Sequence, residues 1–361
     1  MKKSNILILA LLWLGLCAAA WFGPDGDVSE SERRKLAQFP DLTLKSVLEG
    51  DFMEGFEDYT LDQFPLRDTF RQVKALFHYN VLGQKDNNDI YIADGYAAKL
   101  EYPLNTGSVQ NAVDKFNAIY ENYLTGSKVV AAVVPDKGYF LAEVNGYPAM
   151  DYAALQSAME QGMPWAEFVD LTDSLSIGDY YRTDTHWRQE RIAAAAAKLC
   201  EALGVTAFAD GEVAPEVVER PFYGVYYGQA ALPMDAENLY VMTGDLLEGC
   251  TVYNHETGKT TGIYDWSKLE SSDLYDVYLS GAASLLTIEN PNAATDRELI
   301  VFRDSFGSSM IPLLVKDYAT VTVVDIRYIA SNLLTQFVDF HGQDVLFLYS
   351  TLVLNNSNSL K

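Results

Sequence analysis

Imidazole is scarce in this chain, so each histidine can be weighed in turn: His78, His186, His255 and His341 are the whole supply in 361 residues. His186 stands in Tyr180-Tyr181-Arg182-Thr183-Asp184-Thr185-His186-Trp187, with a carboxylate two residues upstream. A turn at that spacing lets Asp184 accept from the imidazole Nδ1–H and fix the tautomer, which frees the other nitrogen to act as a base. A base needs a partner, and Ser305 offers one. It lies in Arg303-Asp304-Ser305-Phe306-Gly307, after the apolar run Leu299–Phe302 and before a helical stretch over 308–318. A serine at such a turn attacks a carbonyl once a base takes its proton. Its own N–H, and those of the turn behind it, can face the negative oxygen that results. Simpler roles exist for each group. Ser305 can cap the helix that follows it, and Asp184 can cap the helix after His186. An Asp-x-His pair can bind metal, but no third ligand stands out in the sequence. His78 falls in an aromatic helical segment, His255 in a turn-rich hairpin and His341 beside Gly342, which are structural or surface positions.

These groups must be held by something, and the pattern around them is strand, helix, strand. Lys128–Val134, Phe168–Leu171, Leu299–Phe302, Val321–Val324 and Val345–Tyr349 are short apolar strands. They alternate with helices over 108–124, 189–203, 308–318 and 332–337, which predicts a mostly parallel sheet covered on both faces. In such a sheet ligands bind beyond the carboxyl ends of the strands. The residues that follow those ends are Pro135-Asp136-Lys137, Arg303-Asp304-Ser305-Phe306-Gly307 and Asp325-Ile326-Arg327-Tyr328. Arg303, Phe306, Gly307, Lys137, Arg327 and Tyr328 are therefore candidates for substrate or oxyanion contacts. Arg327 has an alternative, pairing with Asp325 or Asp304.

Residues 206–285 break the alternation. Tyr, Gly and Thr at short spacing predict β-hairpins inserted at one edge. Upstream, residues 44–82 carry apolar groups at helical spacing, read as a pair of helices broken at Pro65, and Ile90–Leu100 holds Asp94-Gly95, a hairpin signal. The expected division is 1–28 for a leader and linker, 29–100 for a helical segment with the hairpin, and 101–361 for the α/β domain. Ile6–Phe22 is an apolar run behind Lys2 and Lys3, which fits a signal-anchor with the body outside the cytoplasm. Ala18-Ala19-Ala20 equally fits cleavage and secretion.

Composition narrows the classes. Lys and Arg number 26 against 50 Asp and Glu, a net charge of −24, which repels nucleic acid. Three cysteines and four histidines exclude a disulfide scaffold and Cys-rich zinc modules. Cys200 and Cys250 can pair in an oxidising compartment or remain buried thiols.

Taken together, YYRTDTHW at 180–187, RDSFGSSMIPLL at 303–314 and VDIRY at 324–328 resemble the DHHW family, with SESERRKLAQFP at 29–40 and FPLRD at 64–68 adding to the likeness. That family belongs with the alginate O-acetylation (AlgX/AlgJ-like) branch of the SGNH hydrolase superfamily. The resemblance implies a flavodoxin-like three-layer α/β fold and a circularly permuted triad: Asp184 orients, His186 is the base, Ser305 the nucleophile. It implies an exported O-acyltransferase or esterase acting on a cell-surface polysaccharide, with no cofactor and no metal. The acetyl groups would come from a membrane-bound acyltransferase partner. The alternative is a non-catalytic glycan-binding or accessory protein of such a complex. Two departures stand out. Thr185 replaces the middle His of the family name, with no role assigned to that side chain. Leu279-Ser280-Gly281-Ala282 falls where many relatives have Gly-Gly-Asn, whose Asn would donate to an oxyanion.

Overall fold

Strands that are apolar along their whole length need cover on both faces. In the computed structural model, which describes residues 3–29 and 31–361, five of the expected strands lie side by side and form one side of the main sheet. Lys2 of the N-terminal flank and Glu30 of the 29–40 pattern lie outside the described residues. The chain divides into two units. One takes the residues up to Asn88 with Tyr227–Met234; the other takes Asp89–Tyr226 and Asp235–Lys361.

The first unit begins with the helix Lys3–Phe22, whose segment Ser4–Phe22 is long and apolar enough to cross a membrane and has no buried residue. A small ribbon, β1 (Val28–Ser29) with β2 (Arg34–Lys35), follows. Three helices come next rather than a pair: Leu44–Glu49, Asp51–Asp62 and Arg67–Asn80. The break at Pro65 is joined by one at Gly50. Its φ of 92° is a left-handed position that costs glycine nothing for want of a Cβ. The Arg34 fork meets both carboxylate oxygens of Asp62, at 2.7 and 2.6 Å, and ties the ribbon to the helices.

The second unit opens with a hairpin, β3 (Ile90–Ala93) and β4 (Tyr96–Lys99). Asp94 and Gly95 at its turn both have positive φ, as a two-residue hairpin requires. Grouped above with the N-terminal helices, this hairpin in fact belongs to the larger unit: the Ala97 N–H donates to the Arg182 carbonyl at 2.8 Å. The remaining strands are β5 (Val129–Val134), β6 (Glu167–Val169), β7 (Ala214–Phe222), β8 (Glu237–Thr243), β9 (Thr251–Asn254), β10 (Lys259–Gly262), β11 (Leu285–Glu289), β12 (Arg297–Arg303), β13 (Tyr318–Val324) and β14 (Asp344–Ser350). The main sheet runs β10-β9-β11-β13-β12-β14-β5-β6. Its β13-β12-β14-β5-β6 part is parallel, and β11, β9 and β10 continue it antiparallel. The expected hairpin insertion thus splits. β7 and β8 pair with each other away from the sheet, while β9 and β10 extend it.

Period-two alternation sends side chains to the two layers. Val130, Ala132, Val301, Leu346 and Leu348 pack on one face with Leu199 and Leu203 of the helix Ala193–Leu203. Val129, Ala131, Ile300, Phe302 and Phe347 pack on the other with Phe116 and Leu155. The helix expected over 308–318 is much shorter. It runs Phe306–Met310 and yields to 3₁₀ turns, because Pro312 lacks the N–H a helix needs and clashes with the turn before it. Residues 331–336 are likewise a 3₁₀ turn.

Candidate active site

The segment Tyr180–Trp187 folds back on itself: Tyr180 bridges Trp187, and the Tyr181 N–H donates to the His186 carbonyl at 3.1 Å. Buried charges hold this loop from two sides. The Glu237 carboxylate accepts from the N–H groups of Arg182 and Thr183, at 2.8 and 2.7 Å, and from the Thr183 hydroxyl at 2.7 Å. The Lys137 ammonium donates to the carbonyls of Tyr181 and Arg182 at 3.0 and 3.3 Å. Groups so bonded lose little freedom further when the loop works.

Within it, Asp184 Oδ1 lies 2.6 Å from His186 Nδ1 and accepts the His186 N–H at 3.0 Å, while Oδ2 accepts the Val225 N–H at 2.8 Å. The acceptor-only carboxylate puts the proton on Nδ1. Nε2 is then an acceptor, and it lies 2.8 Å from Ser305 Oγ. Asp184 is fully buried and His186 only 7% exposed, whereas Ser305 is partly open. This is a hydroxyl, an imidazole and a carboxylate in series, able to pass a proton from oxygen to Nε2.

Ser305 is presented by a turn built on Asp304. The Asp304 carboxylate accepts the Phe306 N–H at 3.0 Å and the Ser350 N–H at 2.7 Å, and its carbonyl accepts the Gly307 N–H at 3.1 Å. Phe306 and Gly307, expected as oxyanion contacts, have thus spent their N–H groups inside the protein. Among the described residues no acceptor is seen for the Ser305 N–H. Gly307 has a packing role instead: a Cβ there would lie 2.7 Å from that of Arg303. The Phe306 ring does touch the site, 5.0 Å from the His186 ring.

Three of the other expected contacts, Arg303, Lys137 and Arg327, also turn inward. Arg303 is fully buried, bonded to the Gly281 carbonyl at 3.2 Å and 3.6 Å from Asp325. Lys137 is buried beneath the loop, and burial holds its ammonium down at about 7. Its neighbour Asp136 is raised by burial, opposed by bonds from the Thr351 hydroxyl, the Gly138 N–H and the Tyr152 hydroxyl. Neither reaches outward as a substrate contact. Arg327 grips Asp325 with two bonds, at 2.9 and 2.6 Å, the alternative read from the sequence, and lies over the half-exposed Tyr328 ring. Cys200 and Cys250 are separate buried thiols, pushed up by burial to about 12 and about 11.

Other groups at the site carry no motif in the sequence. Tyr275 lays its ring on His186, and Glu237 clamps the loop. Thr185 proves to have a partner, the Tyr226 hydroxyl at 2.9 Å. Leu279, Ser280 and Gly281 all take positive φ, 52°, 60° and 77°, which costs a non-glycine residue about 1–2 kcal/mol. The stretch that departs from Gly-Gly-Asn is therefore a strained left-handed turn, pinned by the Ser280 hydroxyl to Asp265 at 2.8 Å. A cleft of about 560 Å³ lined by Tyr123, Phe337 and Phe340 includes none of Asp184, His186 and Ser305.

A central, mostly parallel sheet with this constellation at the carboxyl ends of its strands is an SGNH-like fold. Residues 167–324, which include Asp184, His186 and Ser305, match the family model described as DHHW protein. A DHHW family protein from Eubacterium siraeum is similar over 76% of this chain and 94% of its own, at 22% identity and a TM-score of 0.61. Bacillus cereus PatB1, solved with a sulfonyl adduct, matches over 73% of this chain and 95% of its own, at 17% identity and a TM-score of 0.56. No curated protein matches the chain in sequence.

Proposed function

We propose that this protein is an exported, membrane-tethered O-acyltransferase or esterase, with Ser305 as nucleophile, His186 as general base and Asp184 as its orienting group. The observation that carries the reading is the unbroken series Asp184–His186–Ser305, at 2.6 and 2.8 Å. Ser305 Oγ attacks the acyl carbon of an ester donor as its proton passes to His186 Nε2. The carbon–oxygen bond to the donor breaks, and His186 returns the proton to the leaving oxygen. A hydroxyl or water then attacks acyl-Ser305, its proton taken by His186 and handed back to Ser305 Oγ. The Ser305 N–H faces the oxyanion.

An acetyl group moved to hydroxyls of a cell-surface polysaccharide is the form of this reaction that the motif resemblance favours. A membrane-bound acyltransferase would supply the acetyl. The apolar helix ahead of the body supports a membrane address. The full chain in detergent, treated with 4-nitrophenyl acetate or phenylmethylsulfonyl fluoride, should gain one acyl or sulfonyl group per molecule by intact mass. Ser305→Ala should gain none. An unmodified wild type, or an equally modified alanine variant, overturns the reading.

A further inference from the structure

Two hydrogen bonds do not fully place an imidazole. Bonds at Nδ1 and Nε2 tolerate a range of angles, so within that range the His186 ring can still rock about its Cβ–Cγ bond. Rocking swings the Nε2 lone pair away from the Ser305 proton. Something must hold the plane. The Phe306 ring sits at 59° to the imidazole and limits its travel without sharing its plane. Tyr275 lies parallel to it: the ring centroids are 3.9 Å apart and the planes differ by 7°.

Tyr275 is itself held. It is 3% exposed, and its hydroxyl lies 2.7 Å from Ser309 Oγ. Ser309 also accepts the Trp187 indole N–H at 2.9 Å. Ser309 follows Ser305 by four residues, so both fall on one face of the short helix after β12. Contacts thus run from the nucleophile along its helix to Ser309, across to Tyr275, over to the His186 ring and back to Ser305. The segment that carries Tyr275 is fastened at its far end by the bond from Arg303 to the Gly281 carbonyl.

We infer that Tyr275 is the positioning residue that sets the plane of the His186 imidazole for proton transfer, a role that rests on the acyl-transfer reading of the site. Its ring does this rather than its hydroxyl, which only seats the ring on Ser309. A second benefit arises during the reaction. Once His186 takes the Ser305 proton it is a cation against the electron-rich face of an aromatic ring, and that attraction exists only after proton transfer. Such an interaction lowers the barrier and leaves ground-state binding alone.

The test uses the full chain in detergent, with 4-nitrophenyl acetate followed through its acylation burst. Tyr275→Phe keeps the ring and should acylate within about threefold of wild type, because only a hydroxyl contact is lost. Tyr275→Leu should slow acylation by about 10–100-fold with KM nearly unchanged, the size expected when a reacting group is misplaced. If the leucine variant does not fold by circular dichroism, Tyr275→Met fills the space with a flexible chain and carries the same expectation. A folded Leu or Met variant that acylates at the wild-type rate overturns the inference and leaves the acyl-transfer reading standing. So does a Phe variant as slow as the Leu variant, since the hydroxyl would then be what matters. A wild type that never acylates removes both.

Discussion

Among the described residues an imidazole lies against a hydroxyl in two places. His186 Nε2 lies 2.8 Å from Ser305 Oγ, and His255 Nε2 lies 2.9 Å from Thr287 Oγ1. The distance alone does not separate them; their surroundings do. His186 carries the Asp184 carboxylate on its other nitrogen, whereas the resolved influence on His255 is burial, which lowers its affinity for a proton. Ser305 stands just past the end of β12, on a turn that exposes its oxygen. Thr287 sits in the middle of β11, with paired strands on both sides. A reactive pair therefore needs a place where the chain leaves the sheet and a buried charge to stabilise the imidazolium.

The sharpest way to break this comparison is to delete each hydroxyl. Ser305→Ala should lower 4-nitrophenyl acetate turnover by at least about 10⁴-fold, while Thr287→Ala leaves it unchanged. Removing the carboxylate charge should make the first site resemble the second. Asp184→Asn is expected to cost on the order of 10⁴-fold in kcat, as an amide favours the wrong tautomer.

Lys137→Met loosens the loop and should reduce turnover by about tenfold. It also has a signature in stability. With a folded value of about 7 against an ordinary 10.5, Lys137 binds less proton folded than unfolded between those values. Its contribution therefore makes the fold more stable as pH rises through that window, and the methionine variant should lose this slope in denaturant titrations. Thr185→Val removes the bond to Tyr226 and should cost about 1 kcal/mol of stability with little change in rate. The smallest effect is expected for His255→Asn, whose turnover should match wild type within twofold error of the assay.

The strands were legible, and Asp184 and His186 stood out as a candidate pair, because both follow local rules. Val129–Val134 is apolar at every position, and Asp184 stands two residues from His186, so one turn joins them. The candidate contacts were less legible because a polar residue at a strand end can turn either way. Arg303 and Lys137 turn inward and are satisfied by backbone carbonyls. Phe306 and Gly307 looked like open donors until the Asp304 bonds were in view. Helix lengths failed where a single residue overrode periodicity, at Pro312 and at Gly50. Tyr275, Glu237 and Tyr226 carried no signal, because nothing in their own neighbourhoods marks them off from the other tyrosines and glutamates.

Local chemistry written into the chain determined the layered sheet, the turn that carries Ser305 and the pairing of Asp184 with His186, since each depends on residues a few positions apart. The tertiary structure decided the meeting of Ser305 with His186, 119 residues away, and the parallel ring of Tyr275 above it. Contacts between distant stretches depend on how strands order themselves and which side chains the layers bury, and no spacing along the chain encodes that.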